Sequence, residues 1–146
     1  MSITEKINAD IKTAMLAKDK ETLEAIRAVK AALLLLQTSG ETVTEDAEIK
    51  LVQKLIKQRK ESAEIYIQQN RPELAEKELS EAAIIEKYLP AQLSEDELRS
   101  IISKIISETN ASSIKDMGKV MGLAGKEIAG RAESKIIADI IKSSLS

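Results

Sequence analysis

The stretch Tyr88-Leu89-Pro90-Ala91-Gln92-Leu93-Ser94-Glu95-Asp96-Glu97-Leu98 decides how the chain is divided. Proline resists a helix interior, so a helix running up to Leu89 must stop at Pro90. Four residues later Ser94 and Glu97 have the spacing of a capping box, in which the serine side chain and the glutamate side chain each satisfy the other's backbone N–H. An apolar series follows at helical spacing: Leu98, Ile101, Ile102, Ile105 and Ile106. One helical unit therefore closes here and another opens.

Working back from Pro90, the same signals recur. Ser2 and Glu5 form a capping box ahead of Ile3, Ile7, Ile11 and Ala14. Residues 20–38 place Leu23, Ile26, Val29, Leu33 and Leu36 on one side, and Leu34 and Leu35 widen that stripe, which predicts the most buried helix. Gly40 to Thr44 is a break. Residues 45–70 carry Ile49, Val52, Leu55, Ile56, Ala63, Tyr66 and Ile67 on one face, and Asn70-Arg71-Pro72 opens a further helix with Leu74, Ala82, Ile85 and Leu89. Forward of Leu98, Asn110 to Ser113 is a polar turn. Residues 114–128 form a weaker helix with an apolar stripe of Ile114, Met117, Met121, Ala124 and Ile128, and residues 132–145 bury Ile136, Ile137, Ile140 and Ile141. The expectation is all-α: an N-terminal antiparallel helical bundle over residues 1–90, then a smaller three-helix domain over 94–146.

Composition agrees with helices built on aliphatic cores. Of 146 residues, 32% are charged with a net charge of −2, Phe and Trp are absent, and Tyr66 and Tyr88 are the two aromatic residues. Cysteine and histidine are also absent, which excludes disulfides, thiolate chemistry and the usual Cys/His zinc site. No apolar run approaches the ~20 residues that span a bilayer. With polar residues where a signal peptide needs an apolar stretch, cytoplasmic residence without membrane association is expected. No cofactor or metal site is expected, and catalytic patterns fail one after another. Ser112-Ser113-Ile114-Lys115 matches S-x-x-K without its companion motifs. The glycines from Gly118 to Gly125 lack phosphate-loop spacing, and Glu127 stands where a hydroxyl residue should follow Lys126.

Two constellations stand out. Arg59 falls on the inward side of its helix with Ile56 and Ala63, while Glu78 and Glu81 fall on the inward face of the next, so a register-fixing ion pair is expected. A pocket lined by these groups is the alternative, less favoured because buried charges are usually paired. The second is Asp116-Met117-Gly118-Lys119-Val120-Met121-Gly122. Gly118, Gly122 and Gly125 lie beside the apolar stripe, and Lys115, Lys119 and Lys126 lie together beyond them. Three glycines weaken a helix by roughly 2–3 kcal/mol relative to alanine. Either close helix packing offsets that cost, or a bare backbone beside lysines lets phosphates approach. Residues 111–146 hold six basic against four acidic residues, the one net-basic part of an acidic chain.

At these residues the sequence resembles the YqeY family, which shares a domain with the C-terminal tail of GatB, the tRNA-handling subunit of the Asp/Glu-tRNA amidotransferase. The marks are Glu81, Tyr88-Leu89-Pro90 with Gln92-Leu93-Ser94, Asp116 through Gly122, and Gly130-Arg131-Ala132. The resemblance covers essentially the whole chain. It implies a bundle joined to a three-helix domain. It also implies a tRNA-binding or aminoacyl-tRNA-associated module, with tRNA and an aminoacyl-tRNA ligase or amidotransferase as candidate partners. Association with carbon–nitrogen ligase chemistry using glutamine as amido donor follows from it, without a catalytic site in this domain. The candidate RNA-binding residues are Lys115, Gly118, Lys119, Gly122, Lys126, Arg131 and Lys135. A helical protein-interaction module with no nucleic acid partner is the alternative.

Overall fold

Helix starts in this chain are written by side chains that cap them. In a computed structural model describing residues 2–146, Ser2 and Ser94 each accept the N–H three residues on, and Glu5 and Glu97 return the bond, so both capping boxes form. Asp19 and Thr44 cap two further helices, and Pro72 opens a fifth. The elements are α1 (Ile3–Ala17), α2 (Lys20–Thr38), α3 (Glu45–Gln68), α4 (Pro72–Glu86), α5 (Glu95–Thr109), a 3₁₀ turn at Ile114–Asp116, α6 (Met117–Ile128) and α7 (Ser134–Leu145). Left-handed residues stop three of them: Lys18 and Asn110 at φ 55° and Ala129 at φ 45°. The described residues contain no strand, and none of their helices is long and apolar enough to cross a membrane.

The chain divides into two compact units, Met1–Leu89 and Pro90–Ser146. In the first, α1 to α4 share one core, with Ile7, Ile26, Val29, Val52 and Ile85 fully enclosed. In the second, α5, α6 and α7 share another, built on Ile102, Val120, Ala124 and Ile141. Four apolar assignments shift. Leu34 and Leu35 are 49% and 73% exposed and do not widen the α2 stripe, because its buried row is Ala25, Ile26, Val29 and Leu33, with Leu23 packed beside it. On α6 the stripe turns toward Val120, which is fully buried, and away from Ile114, which sits in the 3₁₀ turn before the helix. Ile67 and Ile136 are exposed, each lying beside rather than on the buried row of its helix.

Polar groups lock the first unit. Arg59 donates from Nε to Glu81 Oε2 at 3.2 Å and from Nη1 to the Leu55 carbonyl at 3.2 Å, with both charged side chains about 15% exposed. Glu81 takes the guanidinium; Glu78, one turn earlier on α4, is half-buried. Sequence reasoning passed over Glu48, a buried carboxylate on α3. Its Oε2 accepts the Thr4 backbone N–H at 3.1 Å and the Thr4 hydroxyl at 2.7 Å, so α3 satisfies a donor at the open start of α1. Tyr88 donates its hydroxyl to Asp10, and burial followed by that carboxylate pushes the phenol well above its ordinary value.

Candidate nucleic-acid interface

The Gly/Lys helix is set in place by a carboxylate. After Asn110 ends α5, the chain turns through Ser112 and Ser113, whose N–H groups donate to Asp116 Oδ2 at 3.0 and 3.3 Å. The bond from Ser112, then that from Ser113, holds the Asp116 carboxyl below the usual carboxylate range, with Lys119 adding a smaller pull. Asp116 thereby ties the polar turn to the start of α6. From there Val120, Ala124 and Ile128 are drawn into the core, with Met117 and Met121 half-buried beside them.

That orientation leaves the glycines outside. A Cβ built on Gly118, Gly122 or Gly125 would meet no heavy atom within 4 Å. Close helix packing, one of the two explanations for these residues, is therefore overturned: no neighbouring helix approaches them. Lys115, Lys119 and Lys126 are exposed and lie beyond the glycines on the side away from the core, and none makes an ion pair among the described residues. Glu127 occupies the other flank of α6. The result is a strip of bare backbone edged by cations.

The two remaining basic candidates are placed differently. Arg131 follows the C-cap of α6, is half-buried, and donates from Nε to the Ala91 carbonyl at 3.2 Å, so part of its guanidinium is already engaged. Its own carbonyl accepts the Leu93 N–H at 2.8 Å. Gln92 Nε2 donates to the Gly130 carbonyl at 3.1 Å and to the Pro90 carbonyl at 2.9 Å. Gly130 sits at φ 84°, a left-handed conformation that a Cβ would strain. Segments 90–93 and 130–131, far apart in sequence, thus form one latch. Lys135 is exposed on α7, a separate helix. The three lysines around the α6 glycines are the compact part of the set.

A family model described as Yqey-like protein matches residues 4–145. The chain is 35% identical over 129 residues to "Altered inheritance of mitochondria protein 41, mitochondrial" of Meyerozyma guilliermondii, covering 84% of this chain and 66% of that protein. It is 33% identical over 146 residues to the protein of the same name from Lachancea thermotolerans, covering 93% of this chain and 78% of the relative. With the Pyrenophora tritici-repentis protein of that name the identity is 29%, covering 87% and 71%. The chain thus spans about two thirds to four fifths of the length of these relatives. Their names overturn the expectation of cytoplasmic residence, which rested on composition and on the absence of a long apolar run; neither property distinguishes cytoplasm from the mitochondrial interior. With a family match from residue 4 to residue 145, the chain belongs to the YqeY-like protein family.

Proposed function

We propose that this protein is an RNA-associated helical module that holds tRNA by its phosphates, working beside an aminoacyl-tRNA ligase or amidotransferase. The observation that supports it is the open space over Gly118, Gly122 and Gly125 beside three unpaired lysines. Three glycines at exposed positions of a helix cost stability and bring no packing in return. They do let a phosphate chain lie against the backbone within reach of Lys115, Lys119 and Lys126, with Arg131 and Lys135 extending the surface. The antiparallel bundle of residues 1–90 and the three-helix domain of 94–146 would serve as separate bodies, the second presenting this face. Without exposed aromatic residues there is no platform for stacking single-stranded bases, so recognition is of shape and backbone. The compartment follows that of the named relatives, the mitochondrion.

Phosphate contacts position rather than specify, so affinity is weak, salt-sensitive and similar among tRNAs. Three neutralised phosphates give a slope of log K against log salt near −2.7, roughly a 40-fold loss between about 50 and 200 mM. The triple variant Lys115→Gln/Lys119→Gln/Lys126→Gln removes most of that slope. No binding by wild type at low salt, or equal binding by the variant, sinks this reading in favour of a protein-interaction module.

A further inference from the structure

On the second unit, α5 and α7 leave a groove of about 420 Å³ between them. Leu98 and Ile140 form its floor, and Ile136, 43% exposed, stands on its α7 side. Two carboxylates, Glu95 and Asp139, line it together with Arg99. Arg99 is already spent on Glu95, donating from Nη2 at 2.8 Å and from Nε at 3.0 Å. Asp139 makes no ion pair among the described residues. The groove therefore asks for an apolar side chain flanked by cations.

The chain carries that combination itself. On α6, Leu123 is 41% exposed, with Lys119 one turn before it and Lys126 one turn after, the exposed Glu127 being the one acidic neighbour on that helix. Val120, Ala124 and Ile128 turn the neighbouring side of α6, about a quarter turn away, into the core it shares with α5 and α7. Leu123 consequently lies on an open flank of α6, no α6 residue lines the groove between the other two helices, and one copy does not fill its own groove. We infer that a second copy of this chain does so: Leu123 of one molecule seats against Ile136, Leu98 and Ile140 of another, with Lys119 and Lys126 beside Asp139 and Glu95. Two different faces meet, so the contact is head-to-tail, and a pair of copies keeps one free knob on one molecule and one free groove on the other. A contact confined to one groove is small, and small interfaces are typically transient, so weak association is expected.

Sedimentation velocity on nuclease-treated protein tests this with no RNA present, so failure of the RNA reading leaves the test intact. Over concentrations from roughly 0.02 to 1 mM at low salt, the wild-type average sedimentation coefficient is expected to rise, and the rise should shrink at about 0.5 M salt. Asp139→Lys alone and Lys119→Glu/Lys126→Glu alone should each weaken association about fivefold or more, and mixing the two variants should restore it, because each supplies the charge the other's partner face lacks. All three positions are exposed, and far-ultraviolet circular dichroism checks that the fold survives. A wild type that sediments as one monomer throughout overturns the proposal. So does a mixture no more associated than its parts, or association untouched by Leu123→Ser and Ile136→Ser. A lysine- and leucine-rich helical peptide that shifts the NMR signals of Ile136 and Asp139 while the chain itself stays monomeric would assign the groove to a different basic partner.

Discussion

Replacing Gly118, Gly122 and Gly125 together by alanine separates the two reasons a helix could hold three glycines. The added methyls enter open space, since nothing lies within 4 Å of where each Cβ would stand, and none of the three has a left-handed φ. Alanine then contributes only its smaller backbone entropy loss, about 0.5–1 kcal/mol per site in a helix interior. Gly118 is the second residue of α6 and gains least, so the triple variant should be more stable by about 1–2.5 kcal/mol. For a chain of 146 residues unfolding entropy near 2.1 cal/mol/K per residue makes 1 kcal/mol worth about 3 °C, and the midpoint should rise by about 3–8 °C. Differential scanning calorimetry with a urea titration measures both quantities. The same variant keeps every lysine, yet its methyls hold a phosphate off the backbone, so tRNA affinity at low salt should fall by roughly fivefold, about 1 kcal/mol. A midpoint unchanged or lowered would mean that these positions meet something after all, and the reasoning from open space would fail. Increased stability with undiminished RNA binding would leave the glycines without a role in binding.

The ion pair between Arg59 and Glu81 predicts that Arg59→Met destabilises by about 2–4 kcal/mol, slightly under the fully buried value because both side chains keep some exposure. Lys60→Met, whose pairing with Glu86 is about 40% exposed, should cost less than about 1 kcal/mol, and equal urea midpoints for the two variants would show that the Arg59 pair is not enclosed. Glu48→Ala should cost about 1–3 kcal/mol by leaving the Thr4 N–H without its acceptor, whereas Glu45→Ala at the exposed start of α3 should cost much less; chemical denaturation compares them. Val120→Ala should cost about 1.5–3 kcal/mol and Leu35→Gln no more than about 0.5, so thermal melts that rank them the other way would restore the sequence-based stripe. Asp116 has a lowered native pKa, so the stability it contributes is present above the unfolded value near 4 and is lost as pH falls through the lower native value. The melting difference between wild type and Asp116→Leu should accordingly shrink in that acid window, and a difference constant from pH 6 to pH 2 would rule the carboxylate out as its source.

Helix boundaries were legible because their signals are local. Ser2 with Glu5, Ser94 with Glu97 and Arg71 before Pro72 act within one turn, whatever the rest of the chain does. The inward direction of Arg59 was legible for the same reason, since it depends only on spacing from Ile56 and Ala63. What neighbouring helices decide was not. Whether Leu33 or Leu34, Val120 or Ile114, Ile137 or Ile136 is covered depends on how one helix crosses another, and a broad apolar stripe permits several answers. Glu48 resembles any other acidic residue in a first turn until α1 arrives above it. The open face over the glycines could not be read either, because composition cannot say on which side the neighbours lie. Of the RNA-binding candidates, the three lysines of α6 followed from helical spacing, while the engagement of Arg131 with Ala91 spans forty residues and leaves no mark in sequence.

The latch between residues 90–93 and 130–131 has a consequence for how the second unit opens. Leu93 lies outside any helix, in a stretch that by itself would trade its amide proton with solvent freely, yet its N–H is donated to the Arg131 carbonyl. That proton is released only when the end of α6 parts from the start of α5. Amides inside a helix can escape through fraying of the helix they belong to; this one escapes only when the two segments of the latch move apart. Its deuterium uptake therefore reports the parting of residues 90–93 from 130–131, read at a single residue and without any label added to the chain.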